Sequence, residues 1–251
     1  MIVSTMAEDW DATAYDRVAG PQTRWGSAVV ERLDLRGDER VLDAGCGTGR
    51  VTELVLRRLP RGHVVAVDSS EAMLAEAGRR LAALGDRVTL LPADLGEPLA
   101  PVVGAPVDAV LSTATLHWVV DHDALFANLA SVLRPGGALV AQCGGHGNVA
   151  SALAVAAELG ASPGPVNFAT AEATAARLRA AGFGDIWTWL QPEPTVLTGP
   201  ELEEFLATVV LRTHLAGLPG PERAAFTGAV AARLVGAEVD FVRLNILARR
   251  I

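Results

Sequence analysis

Two kinds of apolar run alternate along this chain. Val41-Leu42, Val64 to Val67, Val88 to Leu91, Val107 to Leu111 and Ala138 to Val140 sit in short, nearly continuous apolar stretches. Runs of that length predict strands buried on both faces. Between them, Arg50 to Leu59, Glu71 to Leu84 and Asp123 to Leu133 carry apolar residues at helical spacing. In the second of these, Met73, Leu74, Ala77, Leu81 and Leu84 share one side. Ser69 or Ser70 supplies its N-cap, and Pro135-Gly136-Gly137 stops the third. Strand and helix in regular alternation imply crossovers between parallel strands, hence an α/β, Rossmann-like doubly wound sheet.

Beyond Cys143 the pattern loosens. Helices are predicted over Ser151 to Leu159, over Thr170 to Ala181 with Thr170 as N-cap, over Pro200 to Leu215 and over Pro221 to Leu234. Strands are predicted at Ile186 to Leu190 and Val239 to Ala248, which brings the mostly parallel sheet to seven strands. Residues 1–35 read as mostly helical. The whole length, 251 residues, reads as a single domain.

Composition narrows the function classes. The apolar stretches are all too short to span a bilayer, and the first residues lack a basic region followed by an apolar run, so cytoplasm is the expected location. The net charge is −8. Arginines are scattered among acids, with no basic stripe for a nucleic acid. All 21 Lys/Arg positions are Arg, which removes a Schiff-base or P-loop lysine. Cys46 and Cys143 lie far apart, without metal-type spacing. The expected partner is a small molecule, and the expected state a monomer or homodimer.

Candidate chemistry concentrates in Asp43-Ala44-Gly45-Cys46-Gly47-Thr48-Gly49, the turn that follows the first strand. Glycines there allow positive φ and close approach of a ligand to the backbone. In open sheets, ligands bind at the carboxyl ends of the strands near the switch point. The GxGxG spacing and the carboxylate of Asp43 oppose a pyrophosphate and suit a cation. Asp68 ends the second strand, where an acid accepts hydrogen bonds from ribose hydroxyls. Asp94, after the third strand, is placed for an exocyclic adenine amine.

Asp43-x-Gly45-x-Gly47-x-Gly49, Asp68 and Ala93-Asp94 together resemble the cofactor signature of class I S-adenosylmethionine-dependent methyltransferases. More narrowly, the chain resembles the trans-aconitate methyltransferase-like group, through Tyr15-Asp16-Arg17, Thr115 to His122, Leu133-Arg134-Pro135-Gly136-Gly137 and Val242 to Ile246. The resemblance implies methyl transfer to a small molecule, such as a carboxylic acid or secondary metabolite, with S-adenosylhomocysteine as product. It implies that Asp43, Gly45 and Gly47 hold the methionine moiety. Asp68, Ser69 and Met73 would hold ribose and adenine, Asp94 and Leu95 would cover the adenine, and Thr113 or Ala114 would lie near the sulfonium. It also implies a helical cover over 1–35, a cofactor-binding core over 36–147 and a substrate-side cover with the last strands over 148–251. The loop Gln142 to Asn148 departs from the group's Gln-x-Pro-Gly-Asn, so substrate preference is not carried over.

Other residues keep two readings. His117 is a general base or a structural hydrogen-bonding group. His146, on a Gly-rich loop at a strand end, is a second catalytic candidate. Tyr15 closes over the cofactor or packs a helix. Arg17 and Arg24 bind a carboxylate substrate or face solvent. Trp187, Trp189 and Phe205 read as core, and Cys46 as a small buried residue. Rival classes are a protein of the same fold that binds the cofactor without methylating, and a nicotinamide-dependent oxidoreductase. Against the second, this chain has neither GxGxxG spacing nor a lysine.

Overall fold

A computed structural model of the chain describes residues 9–18, 20–162, 164–197, 199–216, 218–234 and 238–251. The predicted N-terminal helical segment is described from residue 9 on; residues 1–8 lie outside. Helices α1 (Ala12–Val18) and α2 (Gly20–Glu31) lead into β1 (Arg40–Ala44), α3 (Arg50–Arg58), β2 (His63–Asp68), α4 (Glu71–Leu81), β3 (Val88–Pro92), α5 (Ala100–Val103) and β4 (Val107–Thr113). Then come α6 (His122–Val132), β5 (Leu133–Gly144), α7 (Ala150–Glu158), α8 (Ala171–Ala180), β6 (Phe183–Pro192) and β7 (Thr195–Val196). Helices α9 (Pro200–Phe205), α10 (Arg212–Leu215) and α11 (Gly220–Ala231) precede β8 (Glu238–Val239) and β9 (Val242–Arg250).

Seven strands form one sheet in the order β3-β2-β1-β4-β5-β9-β6. The five strands from β3 to β5 are parallel, and β9 runs antiparallel to both β5 and β6. The order reverses between β1 and β4, which makes the switch point. Alternate residues of each strand feed opposite faces. Leu42, Val65, Val110 and Leu139 pack against α5, α6 and α8; Val41, Val64, Ala109 and Val140 pack against α2, α3 and α4. A third cluster, with Trp25, Phe205, Leu206, Val230 and Phe241, belongs to the cover above the carboxyl ends. Among the described residues no helix is long and apolar enough to cross a membrane.

Both predicted caps form: Ser70 Oγ accepts from the Met73 amide, and Thr170 Oγ1 from that of Ala173. Four predicted elements differ. The helix expected to reach Leu84 ends at Leu81 and passes into a 3₁₀ turn, kinked at Gly85 (φ 53°, ψ −131°). The single helix expected over Pro200 to Leu215 is interrupted by a π-helical turn, Leu206–Val210. The last predicted strand splits at Asp240-Phe241, and β8 pairs with β7 in a separate two-stranded sheet. The sixth strand is longer than predicted and starts at Phe183, with a register shift between Gly184 and Trp187.

Candidate active site

The switch point opens into a cavity beneath the cover, walled by the turn after β1, the ends of β2 and β4, the N-terminal helices and α10. A second lobe, reached past Gly45, Asp68, Ser69, Thr115 and Trp118, is lined by Asp94, Leu95, Gly96 and Val119. Thus Gly45, Gly47, Asp68, Ser69, Met73, Thr113, Tyr15 and His117 meet on one wall, and Asp94 and Leu95 stand in the adjoining lobe.

The turn folds as its glycines require. Gly45, Gly47 and Gly49 have φ of 82°, 54° and 79°, a region costly for other residues. A Cβ on Gly45 would fall 2.1 Å from Thr115 Cγ2, whereas one on Gly47 would meet nothing within 4 Å. Asp68 Oδ2 accepts from the Gly47 amide and Oδ1 from that of Ser70, both at 2.9 Å. The carboxylate therefore clamps the turn while bordering the cavity, and burial raises its pKa. Ser70 Oγ in turn donates to Asp9 Oδ1 at 2.5 Å, strapping the N-terminal segment across the opening.

Asp43 sits differently from expectation. It is 1% exposed and lies under the turn rather than on the cavity wall. Its Oδ2 accepts from Thr52 Oγ1 at 2.7 Å, and its Oδ1 has no partner among the described residues. Burial pushes its pKa up to about 6. An unpaired carboxyl behind a glycine cradle is suited to a cation.

Of the two readings of His117, the geometry favours the hydrogen-bonding one, and His146 stands away from the cavity. The Gly144 amide donates to His117 Nδ1 at 3.3 Å, so the proton of the neutral ring resides on Nε2. Burial, then Arg243, hold its pKa well below 6.5. The ring stacks on Phe168, centroids 5.5 Å apart. It is fitted to donate a hydrogen bond, not to take a proton. His146 is exposed and off the wall. The adjacent Gly145 packs so tightly that a Cβ would lie 2.5 Å from Leu190 Cδ2, and the chain turns the imidazole outward. Arg17 is exposed and pairs with Glu204 at 2.8 Å; Arg24 is exposed too, and neither lines the cavity. Trp187, expected in the core, is 69% exposed, whereas Phe205 is buried as expected.

Among the wall residues given no role from the sequence, Trp10 and Arg243 stand out. Trp10 stands edge-on to Tyr15 (5.5 Å) and Trp118 (5.6 Å), with the Arg212 guanidinium 4.3 Å over its ring. Arg243, in β9 opposite Gly144, is 3% exposed and lies 4.6 Å over the Trp25 ring. Among the described residues no ion pair includes it and its Nε has no hydrogen-bond partner. Burial depresses its pKa to about 10, so it stays cationic at neutral pH. The signals in the sequence were an arginine inside the apolar run Val242 to Leu247 and its place in one of the stretches that carry the resemblance.

The charges are thereby separated. Asp68 ends β2 and Arg243 starts β9, four strand spacings apart, or roughly 19 Å between backbones. Thr113 and Ala114, at the end of β4, stand between them. Tyr15 feels both charges, and burial pushes its hydroxyl up to about 12.

The methyltransferase domain family matches residues 41–137. A trans-aconitate 2-methyltransferase of Paracidovorax citrulli is 30% identical over 263 aligned residues, covering 96% of this chain and 98% of that protein. That of Acidovorax ebreus is 39% identical over 134 residues, 53% of this chain, so the matched stretch spans about half (49%) of that relative. Among solved structures, the [4+2]-cyclase SpnF superposes with a TM-score of 0.61 at 24% identity, over 91% of this chain and 80% of that one.

The chain belongs to the class I S-adenosylmethionine-dependent methyltransferases, in the trans-aconitate methyltransferase-like group.

Its cofactor is S-adenosylmethionine, and the nicotinamide alternative falls. The fit is chemical as well: an unpaired acid beneath the glycine turn, open space over Gly47, and an acid at the end of β2 in the positions a sulfonium amino acid and a ribose require.

Proposed function

We propose that this methyltransferase forms the methyl ester of a small carboxylic acid. The observation that carries the reading is Arg243, a buried guanidinium that forms no ion pair among the described residues, Glu193 acting on its charge only from beyond contact. A buried charge is costly unless paired, and a guanidinium fork matches a carboxylate. The substrate carboxylate is the missing partner.

In this reading Gly45 and Gly47 bring the backbone against the methionine moiety, and Asp43 favours its cation through a short, dry path. Asp68 and Ser69 take the ribose; Met73, Leu95 and Asp94 border the adenine. The cofactor supplies a methyl group on positively charged sulfur: a carboxylate oxygen bonds to that carbon as the sulfur–carbon bond breaks, and the electron pair returns to sulfur, leaving S-adenosylhomocysteine. Arg243 and His117 Nε2–H hold and aim the carboxylate, while Tyr15, Trp10 and Trp118 exclude water. A carboxylate brings no proton to remove, which agrees with a histidine whose free nitrogen is a donor. Positioning alone supplies about 7–11 kcal/mol in well-oriented systems. The charge of −8 and the cover over the cavity favour a small acceptor over a nucleic acid.

The test is Arg243→Gln assayed for methyl esters by mass spectrometry. Ester formation is expected to fall at least about a hundredfold, from loss of a charged hydrogen-bonding partner, with S-adenosylhomocysteine affinity unchanged by calorimetry. Undiminished turnover of an acid would place the acceptor elsewhere.

A further inference from the structure

The wall around Arg243 says what the rest of the acceptor is like. Val149, Leu153, Val166, Phe168, Val209 and Val210 give the cavity an apolar stretch of wall, beside a few neutral polar side chains such as Asn148 and Thr213. Val209 and Val210 belong to the π-helical turn, the irregularity that interrupts the cover helix; such turns recur at functional sites. Val149 reaches the wall with φ of 51°, a costly conformation for a β-branched residue.

The cations on this wall are few. Arg50 is held by Asp16, Nε to Oδ1 at 2.6 Å and Nη2 to Oδ2 at 2.7 Å, and that carboxylate also binds Arg80. His117 is neutral, and burial lowers the pKa of His214. Among the described wall residues, Arg243 is the one permanent cation outside an ion pair.

We infer that the acceptor is a monocarboxylic acid with an apolar body, its carboxylate on Arg243 and its hydrocarbon against the valine-rich wall, and that a tricarboxylate is a poor substrate. The inference rests on the carboxyl-methylating reading above and narrows it. Each further carboxylate would be buried on a wall whose other polar members, Gln22, Thr23, Asn148, Thr213 and His214, bring no permanent cation, a costly burial for a charge. A saturated chain gains from each methylene it buries there.

The experiment uses the full chain with S-adenosylmethionine and a series of acids: acetic, hexanoic, decanoic and trans-aconitic. Calorimetry with S-adenosylhomocysteine runs in parallel. Esterification is expected to rise in kcat/KM by about fourfold per added methylene until the cavity is filled, and trans-aconitate is expected to trail decanoate by about a hundredfold or more. Trans-aconitate turned over as well as decanoate, or better, would overturn the inference and leave the carboxyl-methylating reading standing. Failure to esterify any acid in a protein that binds S-adenosylhomocysteine would overturn both.

Discussion

At the residue scale, the turn after β1 combines an obligatory glycine with a permissive one. Gly47→Ala adds a methyl group to open cavity space at φ 54°, a left-handed strain of about 1–2 kcal/mol. The variant is expected to remain folded by thermal melting and to bind S-adenosylhomocysteine at least about tenfold more weakly. Gly45→Ala drives a Cβ into Thr115 and is expected to lose stability as well. Asp43 couples affinity to pH. In the ligand-free fold its pKa stands at about 6 against 3.8, so the folded state prefers the neutral acid. The penalty is absent below pH 4, grows between 4 and 6, and is complete above 6, at roughly 3 kcal/mol. Asp43→Asn is therefore expected to stabilise the ligand-free protein at pH 7.5 in denaturant titrations, with the gain shrinking toward pH 4, while weakening the cofactor. Wild-type affinity is expected to fall below pH 6, with proton release on binding seen in buffers of different ionisation heat. A flat affinity from pH 5 to 8 would remove Asp43 from the site's electrostatics.

At the element scale, function depends on how helix starts meet the chain that covers them. Ser70 caps α4 and also donates to Asp9, so one hydroxyl ties the N-terminal strap to the cofactor side of the sheet. Ser70→Ala is expected to cost about 1 kcal/mol of stability and to raise the dissociation rate of S-adenosylhomocysteine in stopped-flow fluorescence; loss of stability with an unaltered rate would separate cap from strap. Elements of this kind were legible in the sequence because their causes are local: apolar runs for β1 to β5, hydroxyl caps for α4 and α8, acids at strand ends. What escaped is non-local. The π turn at Leu206–Val210 hides in a sequence with helical spacing throughout. The outward turn of His146 follows from Gly145 packing on Leu190 and Leu244, residues of β6 and β9. Arg243 becomes a cavity residue only when β9 inserts between β5 and β6.

At the scale of the whole molecule, the doubly wound sheet holds two charges of opposite sign at a fixed separation and places the end of β4 between them. In the proposed reading the acidic end meets the cofactor's cation and the arginine end the acceptor's anion. The cover, with its own apolar cluster, roofs the space between them and lowers the effective dielectric there, which strengthens both charges. The most direct measurement follows an isotope-labelled methyl group of S-adenosylmethionine into product by nuclear magnetic resonance, with decanoic acid as acceptor. The expected result is a label resonating as a methyl ester, absent with Arg243→Gln. A label on carbon or nitrogen, or an ester that forms equally well without Arg243, would contradict the assignment of the arginine end to the acceptor's carboxylate.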